Sequence, residues 1–261
     1  MTDSLLRISR NGAILEVVLD RPKANAINGA TSRLMGEAFA QFRDDPELRV
    51  AIVTGGGEKF FCAGWDLKGA AAGEPPDTNY GVGGFGGLQE LPNLNKPVIA
   101  AVNGMAVGGG FELALSADLI IASDQARFSL PEIKAGTLAD AATVKLPRRI
   151  PYHVAMDLLY TGRWMEVDEA LKWGLVNEVV PAANLMTRAR ELAKLLAEGP
   201  PLVFAAIKEV ARESEKLSFQ EAISRIMRRE FSSVAKLYSS EDQLEGARAF
   251  AEKRDPVWKG R

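Results

Sequence analysis

KPVIAAVNGMAVGGGFELALSADLIIA, residues 96–122, carries the order of elements that decides the fold. Val98 to Val102 is short, apolar and β-branched, as a strand is, and a glycine-containing turn from Gly104 to Gly110 follows it. Phe111 to Ser116 then reads as helix and Leu119 to Ala122 as a second strand. Strand, glycine turn, helix, strand is the signature of an α/β architecture with largely buried sheets.

The same order recurs upstream. AILEVVLD, residues 13–20, reads as a strand that stops at Arg21-Pro22-Lys23. Asn28 is placed to cap a helix through Met35, Phe39 and Phe42, and Asp44-Asp45-Pro46 breaks it before a strand at 50–54. No repeat of fixed length stands out. Beyond Tyr152 the character turns helical: segments at 154–160, 184–197 and 202–214, then two more from Ser218 on, with one short strand at 175–180. The expected organisation is an α/β core over residues 1–190 and a helical region over 191–261. GVGGFGG, residues 81–87, flanked by Pro75-Pro76 and Pro92, is expected as a mobile loop.

A chain of 261 residues, 47% hydrophobic and 25% charged, can bury a sizeable core as an ordinary globular protein. Its net charge of −2 gives no global attraction to nucleic acid or an anionic membrane, so neither is expected as a partner. An anionic ligand must instead meet local lysines or backbone N–H groups. The first residues, MTDSLLRISRNG, lack the pattern of a signal peptide, and no apolar run reaches bilayer length, so a cytoplasmic location is expected. One cysteine, Cys62, and one histidine, His153, are too few for a disulfide framework or a His/Cys metal site, and no metal is expected. Acid–base chemistry then falls to carboxylates, lysines and tyrosines.

Two glycine turns follow strands directly: 55–64, leading into Trp65-Asp66, and 104–110. If a helix opens at Gly109, its N–H is an unpaired donor at the positive helix end and suits an oxyanion. For one such turn alone a packing corner is the commoner outcome. A phosphate loop is disfavoured, because GGGFE lacks both the Gly-Lys-Ser/Thr ending and the GxGxxG spacing, and Glu112 would repel phosphate. Glu112 lies three residues past Gly109, near the donor, although a carboxylate there also simply complements the helix dipole. Glu132, in LPEIKAG after an expected strand, taken alone reads as a solvated loop charge. Cys62 has no activating histidine near it in sequence, and His153 reads as structural.

Taken together, RPKANAIN at 21–28, FFCAGWDLK at 60–68, residues 96–115 and FSLPEIKAG at 128–136 resemble the crotonase (enoyl-CoA hydratase/isomerase) superfamily, in order and over nearly the whole chain. AFAEKRDPVWKGR at 249–261, with AGWDLK, resembles the branch of that superfamily that handles carnitinyl-CoA.

The resemblance implies a spiral of ββα units with a helical C-terminal region that packs in trimers or dimers of trimers. It implies a hydro-lyase working on a 2-enoyl-CoA/3-hydroxyacyl-CoA pair, with coenzyme A entering as part of the thioester substrate and no tightly bound cofactor. By position, the backbone N–H groups of Trp65 and Gly109 become oxyanion donors, Glu112 serves the water or hydroxyl at Cβ, and Glu132 exchanges the proton at Cα. Coenzyme A would run past Lys23, Ala24, Ala26, Lys59, Ala63, Asp66, Leu67 and Lys68, with Phe250 and Lys253 added by a neighbouring subunit. For the lysines, ordinary solvated charge is the competing reading. Trp65, or Phe85 and Tyr80 of the glycine-rich loop, offer π faces to a quaternary ammonium, against simple burial of Trp65 in the core. One stretch departs from the family pattern: Gly136 to Thr143, GTLADAAT, has no proline or glycine pair and is about one residue shorter. The open alternatives are a general short-chain enoyl-CoA hydratase or isomerase and a non-catalytic acyl-CoA-binding scaffold.

Overall fold

The computed structural model describes residues 5–71, 73, 75 and 78–261; residues 1–4 of the N-terminal stretch and Pro76 of the proline pair lie outside them. The strands, in chain order, are β1 Leu6–Asn11, β2 Ile14–Leu19, β3 Val50–Gly55, β4 Phe60–Cys62, β5 Val98–Val102, β6 Met105–Val107, β7 Leu119–Ser123, β8 Arg127–Ser129, β9 Trp164–Glu166 and β10 Glu178–Val180. They form two sheets, ordered β1-β2-β3-β5-β7-β10 and β4-β6-β8-β9. Only the β1–β2 and β8–β9 pairs are antiparallel.

The helices are α1 Gly29–Asp44, α2 Leu67–Ala71, α3 Gly109–Ala114, α4 Glu132–Ala135, α5 Asp140–Lys145, α6 Tyr152–Thr161, α7 Val167–Lys172, α8 Leu185–Ala197, α9 Pro201–Glu213, α10 Phe219–Met227, α11 Ser232–Tyr238 and α12 Asp242–Glu252. Each spiral turn is a strand of the large sheet, a strand of the small sheet and a helix: β3-β4-α2, β5-β6-α3 and β7-β8-α4. Ile27 bridges Trp65 in parallel, so β2, Ile27 and α1 make a further, reduced turn. These turns begin at Ile14, Val50, Val98 and Leu119, at unequal spacing, which is why the sequence shows no fixed period.

The large sheet is covered on both faces. Val17, Leu19, Ala51, Val53 and Ala100 face a core shared with Phe39 and Phe42 of α1 and with the small sheet. The alternate residues Ile14, Val50, Ile52, Ile99, Ala101 and Ile121 pack on Leu185, Ala189 and Ala193 of α8. Two covered faces require continuous apolar runs rather than alternation, and a fully buried Ile or Val contributes roughly 1.5–3 kcal/mol. The α8 contacts fall at i, i+4 and i+8, one helical face. The expected division after residue 190 therefore falls inside a continuous helix, and Arg190 itself is tied back to Glu16 on β2.

Three expectations change. The 81–87 loop is folded tightly against α1: Gly86 N–H donates to Ser32 Oγ at 3.1 Å, and a Cβ on Gly87 would stand 2.3 Å from Gly36 N. The glycines serve close backbone approach there. The strand expected at 175–180 is confined to Glu178–Val180, because Leu175 turns into the core and Asn177 clamps the Ile120 backbone. From Ser218 on there are three helices rather than two, since Arg229, at φ +56°, breaks the chain between α10 and α11 without a glycine or proline to announce it. Among the described residues no helix is long and apolar enough to cross a membrane, and no cluster of metal-ligating side chains occurs.

Candidate active site

Two glycine turns press together at the C-terminal ends of β4 and β6. Gly64, at φ +81°, lies so close to the second turn that a Cβ would be 2.6 Å from Val107 O and 2.8 Å from Gly109 N. Gly110 is as constrained, with a Cβ falling 2.1 Å from Cys62 O. Ile27 makes both bonds of its bridge with the neighbours of Trp65: Ile27 N–H donates to Gly64 O at 2.7 Å and Asp66 N–H donates to Ile27 O at 2.9 Å. The Trp65 N–H consequently points away from Ile27. In α3 the Gly108 carbonyl accepts from Phe111 N–H and Glu112 N–H, so the N–H of Gly109 has no helical acceptor. Neither the Trp65 nor the Gly109 N–H has a backbone acceptor among the described residues. The Trp65 ring is half-buried, and its indole N–H is buried without a partner.

Both glutamates converge beside these donors. Glu112, 7% exposed, accepts from Ala142 N–H at 2.9 Å on Oε1 and from the Gln89 amide at 3.3 Å on Oε2. Burial pushes its pKa up; the hydrogen bonds pull it back, and the charge of Asp140 adds to the rise. Glu132 opens α4, and its Oε1 would be 2.5 Å from a Cβ on Gly108, so a side chain at 108, already strained at φ +54°, would displace the carboxyl from its present place. Its Oε2 is buried and unpartnered. Burial is the largest of the influences that push Glu132 up to about 7; its own N–H opposes, while Glu112 and Asp140 reinforce. With a donor on each oxygen of Glu112 and none on Glu132 Oε2, a proton shared by the pair is better held on Glu132. Lys145 faces Glu112; burial pulls its ammonium down to about 8, and it donates to Ser116 Oγ at 2.9 Å.

The segment that departs from the family pattern is what carries Ala142 and Asp140. Gln89, Ala142 and Lys145 carry no sequence signal: an isolated loop glutamine, a backbone N–H and a helical lysine look like any others.

The rim is held by Arg21, whose guanidinium pairs with Asp66 at 2.6 Å and donates to Ala26 O at 2.8 Å, while Ala63 N–H donates to Ala24 O at 3.0 Å. Burial opposes ionisation of Asp66, but Arg21 and the Gly69 and Lys68 N–H groups hold its carboxyl below the usual range. Asp66 thus fastens the rim through Arg21. Lys23, Leu67 and Lys68 stand exposed on this rim; Lys59, also exposed, lies at the far end of β4 with its ammonium 5.7 Å from the Phe60 ring. Phe250 and Lys253 are not brought to the rim within one chain: they lie on and just after α12, which packs on α11. Cys62 is fully buried and its thiol is pushed up to about 12, which removes it as a nucleophile. His153 is exposed at the start of α6, edge-on to Tyr152.

A family model described as enoyl-CoA hydratase/isomerase matches residues 9–261. The chain belongs to that family. Among relatives of known name, the carnitinyl-CoA dehydratase of Proteus mirabilis (strain HI4320) is 57% identical over 261 residues, covering 98% of each chain. That of Salmonella agona (strain SL483) is 56% identical over 262 residues, covering 100% of each. Among solved structures of the enoyl-CoA hydratase/isomerase family, an enoyl-CoA hydratase from Mycobacterium tuberculosis H37Rv superposes with a TM-score of 0.90 at 39% identity, over 98% of this chain and 99% of that one. An enoyl-CoA hydratase from Bacillus anthracis gives 0.88 at 32% identity, over 99% and 100%. The spiral fold that the resemblance implied is thus the fold of these family members.

Proposed function

We propose that the chain catalyses the reversible hydration of a 2-enoyl-CoA thioester, with crotonobetainyl-CoA and carnitinyl-CoA as the substrate pair. The observation that carries this is the pair of oppositely disposed glutamates beside two unbonded backbone N–H groups. The substrate pair follows the names of the most similar relatives.

In this reading the thioester carbonyl oxygen accepts from the Trp65 and Gly109 N–H groups. They stabilise the enolate character that appears on that oxygen, each worth roughly 3 kcal/mol. During hydration, the Glu112 carboxylate takes a proton from water as it adds to Cβ. The C=C electrons pass toward the carbonyl, and protonated Glu132 delivers a proton to Cα. Dehydration reverses each step: Glu132 removes the α-proton and Glu112 protonates the departing hydroxyl. The resting arrangement, with the proton favoured on Glu132, is the one that hydration needs.

Coenzyme A lies along the Lys23 to Ala26 and Ala63 to Lys68 rim, with Lys68 near its phosphates and Lys59, at the far end of β4, the more distant candidate for them, and is brought in by the substrate with no tightly bound cofactor. The helical C-terminal region serves assembly. One face of α10 packs inward through Ala222 and Ile226, while Phe219, Ile223 and Met227 line the adjoining edge, Phe219 at 75% and Met227 at 77% exposure. A second copy of the chain is the occupant in this reading, in a trimer or dimer of trimers, and it brings Phe250, 87% exposed, and Lys253 to the rim of its neighbour. The working location is the cytoplasm.

Loss of the enoyl thioester absorbance on adding crotonobetainyl-CoA or crotonyl-CoA tests the activity. Glu112→Gln and Glu132→Gln are each expected to lower kcat by about 10²–10⁴-fold with little change in KM. Binding of both thioesters without turnover by the unaltered chain would make it an acyl-CoA-binding scaffold instead.

A further inference from the structure

We infer that Asp140 and the Phe85–Tyr80 pair both border the acyl pocket and select an acyl chain that bears a fixed cation next to Cβ. The inference deepens the proposed function and rests on it.

Asp140 is placed by the bond that holds Glu112. Ala142 N–H donates to Glu112 Oε1 at 2.9 Å, which seats the first turn of α5 on the carboxyl that serves Cβ. Asp140 is the first residue of that turn, lies on its exposed side, and has no ion-pair or hydrogen-bond partner for its carboxylate among the described residues. Its charge reaches the reaction centre, since after burial it is among the influences that raise both Glu112 and Glu132. An unpaired acid next to two glutamates hinders the ionisation that catalysis requires, and a neutral enoyl chain draws nothing from it. A quaternary ammonium two bonds beyond Cβ would offset the charges of Asp140 and the Glu112 carboxylate.

The other border is aromatic. A Cβ on Gly109 would stand 2.4 Å from Phe85 Cε1, so the ring lies directly against the residue whose N–H is assigned to the thioester oxygen. Tyr80 meets Phe85 edge-on at 5.4 Å between centroids, and both rings are half-buried. The Gly86 bond to Ser32 on α1 holds the Phe85 turn in place. An aromatic face and a carboxylate at one site suit a cation too bulky and too poor in donors to form hydrogen bonds, which is what a trimethylammonium group is. Lys145 is the opposing charge; its ammonium is occupied by Ser116 and lies behind Glu112, on the side of the 88–94 loop.

The test compares crotonobetainyl-CoA with its neutral isostere, 5,5-dimethylhex-2-enoyl-CoA, in which carbon replaces nitrogen. The readout is the ratio of their kcat/KM values in the unaltered enzyme, Asp140→Asn and Phe85→Leu. The ratio is expected to fall about tenfold in Asp140→Asn and about threefold in Phe85→Leu, mostly through KM for the cationic substrate. An unchanged ratio in both variants overturns the inference, because an effect exerted only through the glutamates, or through folding, strikes both substrates alike. If the unaltered enzyme hydrates the isostere but not crotonobetainyl-CoA, the substrate assignment fails, and this inference with it, before any variant is compared.

Discussion

Glu132 shows what a proton held on a buried carboxyl costs the folded chain. Below about pH 4.5 the folded and unfolded states both hold it. Between there and about 7 the unfolded chain releases the proton while the folded chain retains it, so stability falls as pH rises. Because the side chain keeps partial contact with solvent, about 1–2 kcal/mol is a fairer figure than the full shift would give. Glu132→Gln is therefore expected to melt about 2–8 °C higher than the unaltered chain at pH 8 and at the same temperature at pH 4, as calorimetry would show. An equal difference at both pH values would place the strain elsewhere. The same titration bears on rate: kcat/KM for hydration should decline above about pH 7 as Glu132 loses its proton. Gly108 belongs to this scale too. Gly108→Ala drives a Cβ into Glu132 Oε1 and forces alanine to φ +54°, so kcat should drop at least tenfold while thioester binding, followed by calorimetric titration, stays within a few-fold.

Elements differ in how much of themselves they write into the sequence. Helix α1 is fully legible: Asn28 accepts from Thr31 N–H as its cap, and Met35, Phe39 and Phe42 repeat at helical spacing on the buried face. Asn28→Ala should cost about 1 kcal/mol, measurable by urea unfolding. Strands β4, β6 and β9 are not legible, because three residues cannot display a period of two and glycine turns flank β4 and β6. Yet these short strands form the sheet from which the Trp65 and Gly109 turns lead off. The sequence thus identifies Glu112 and Glu132 only through resemblance, whereas the donors to Glu112, from Ala142 and Gln89, emerge from tertiary contact alone. The rim behaves as an element of its own, with Arg21 fastening two loops that share no strand pairing beyond the Ile27 bridge. Arg21→Ala is expected to raise KM for any coenzyme A thioester about tenfold, with a smaller loss of kcat; a pure kcat loss would show that the rim acts on chemistry rather than on binding.

At the scale of the molecule, the apolar edge of α10 stands exposed in the single chain. With Phe219→Glu and Met227→Glu combined, sedimentation should shift from an oligomer to the single chain of 28.2 kDa, and affinity for coenzyme A thioesters should weaken as the neighbour's Phe250 and Lys253 depart. A chain that sediments as a monomer without substitution would refute the assembly. The buried thiol of Cys62 gives the whole fold a clock. It lies under the turn that carries Trp65, and at about 12 its pKa leaves almost no thiolate, so an alkylating reagent can mark it only while that turn is open. As the chain's lone cysteine, it turns a single mass increment per molecule into a direct record of how often the Trp65 turn comes apart, and a bound thioester should slow that record in proportion to its occupancy.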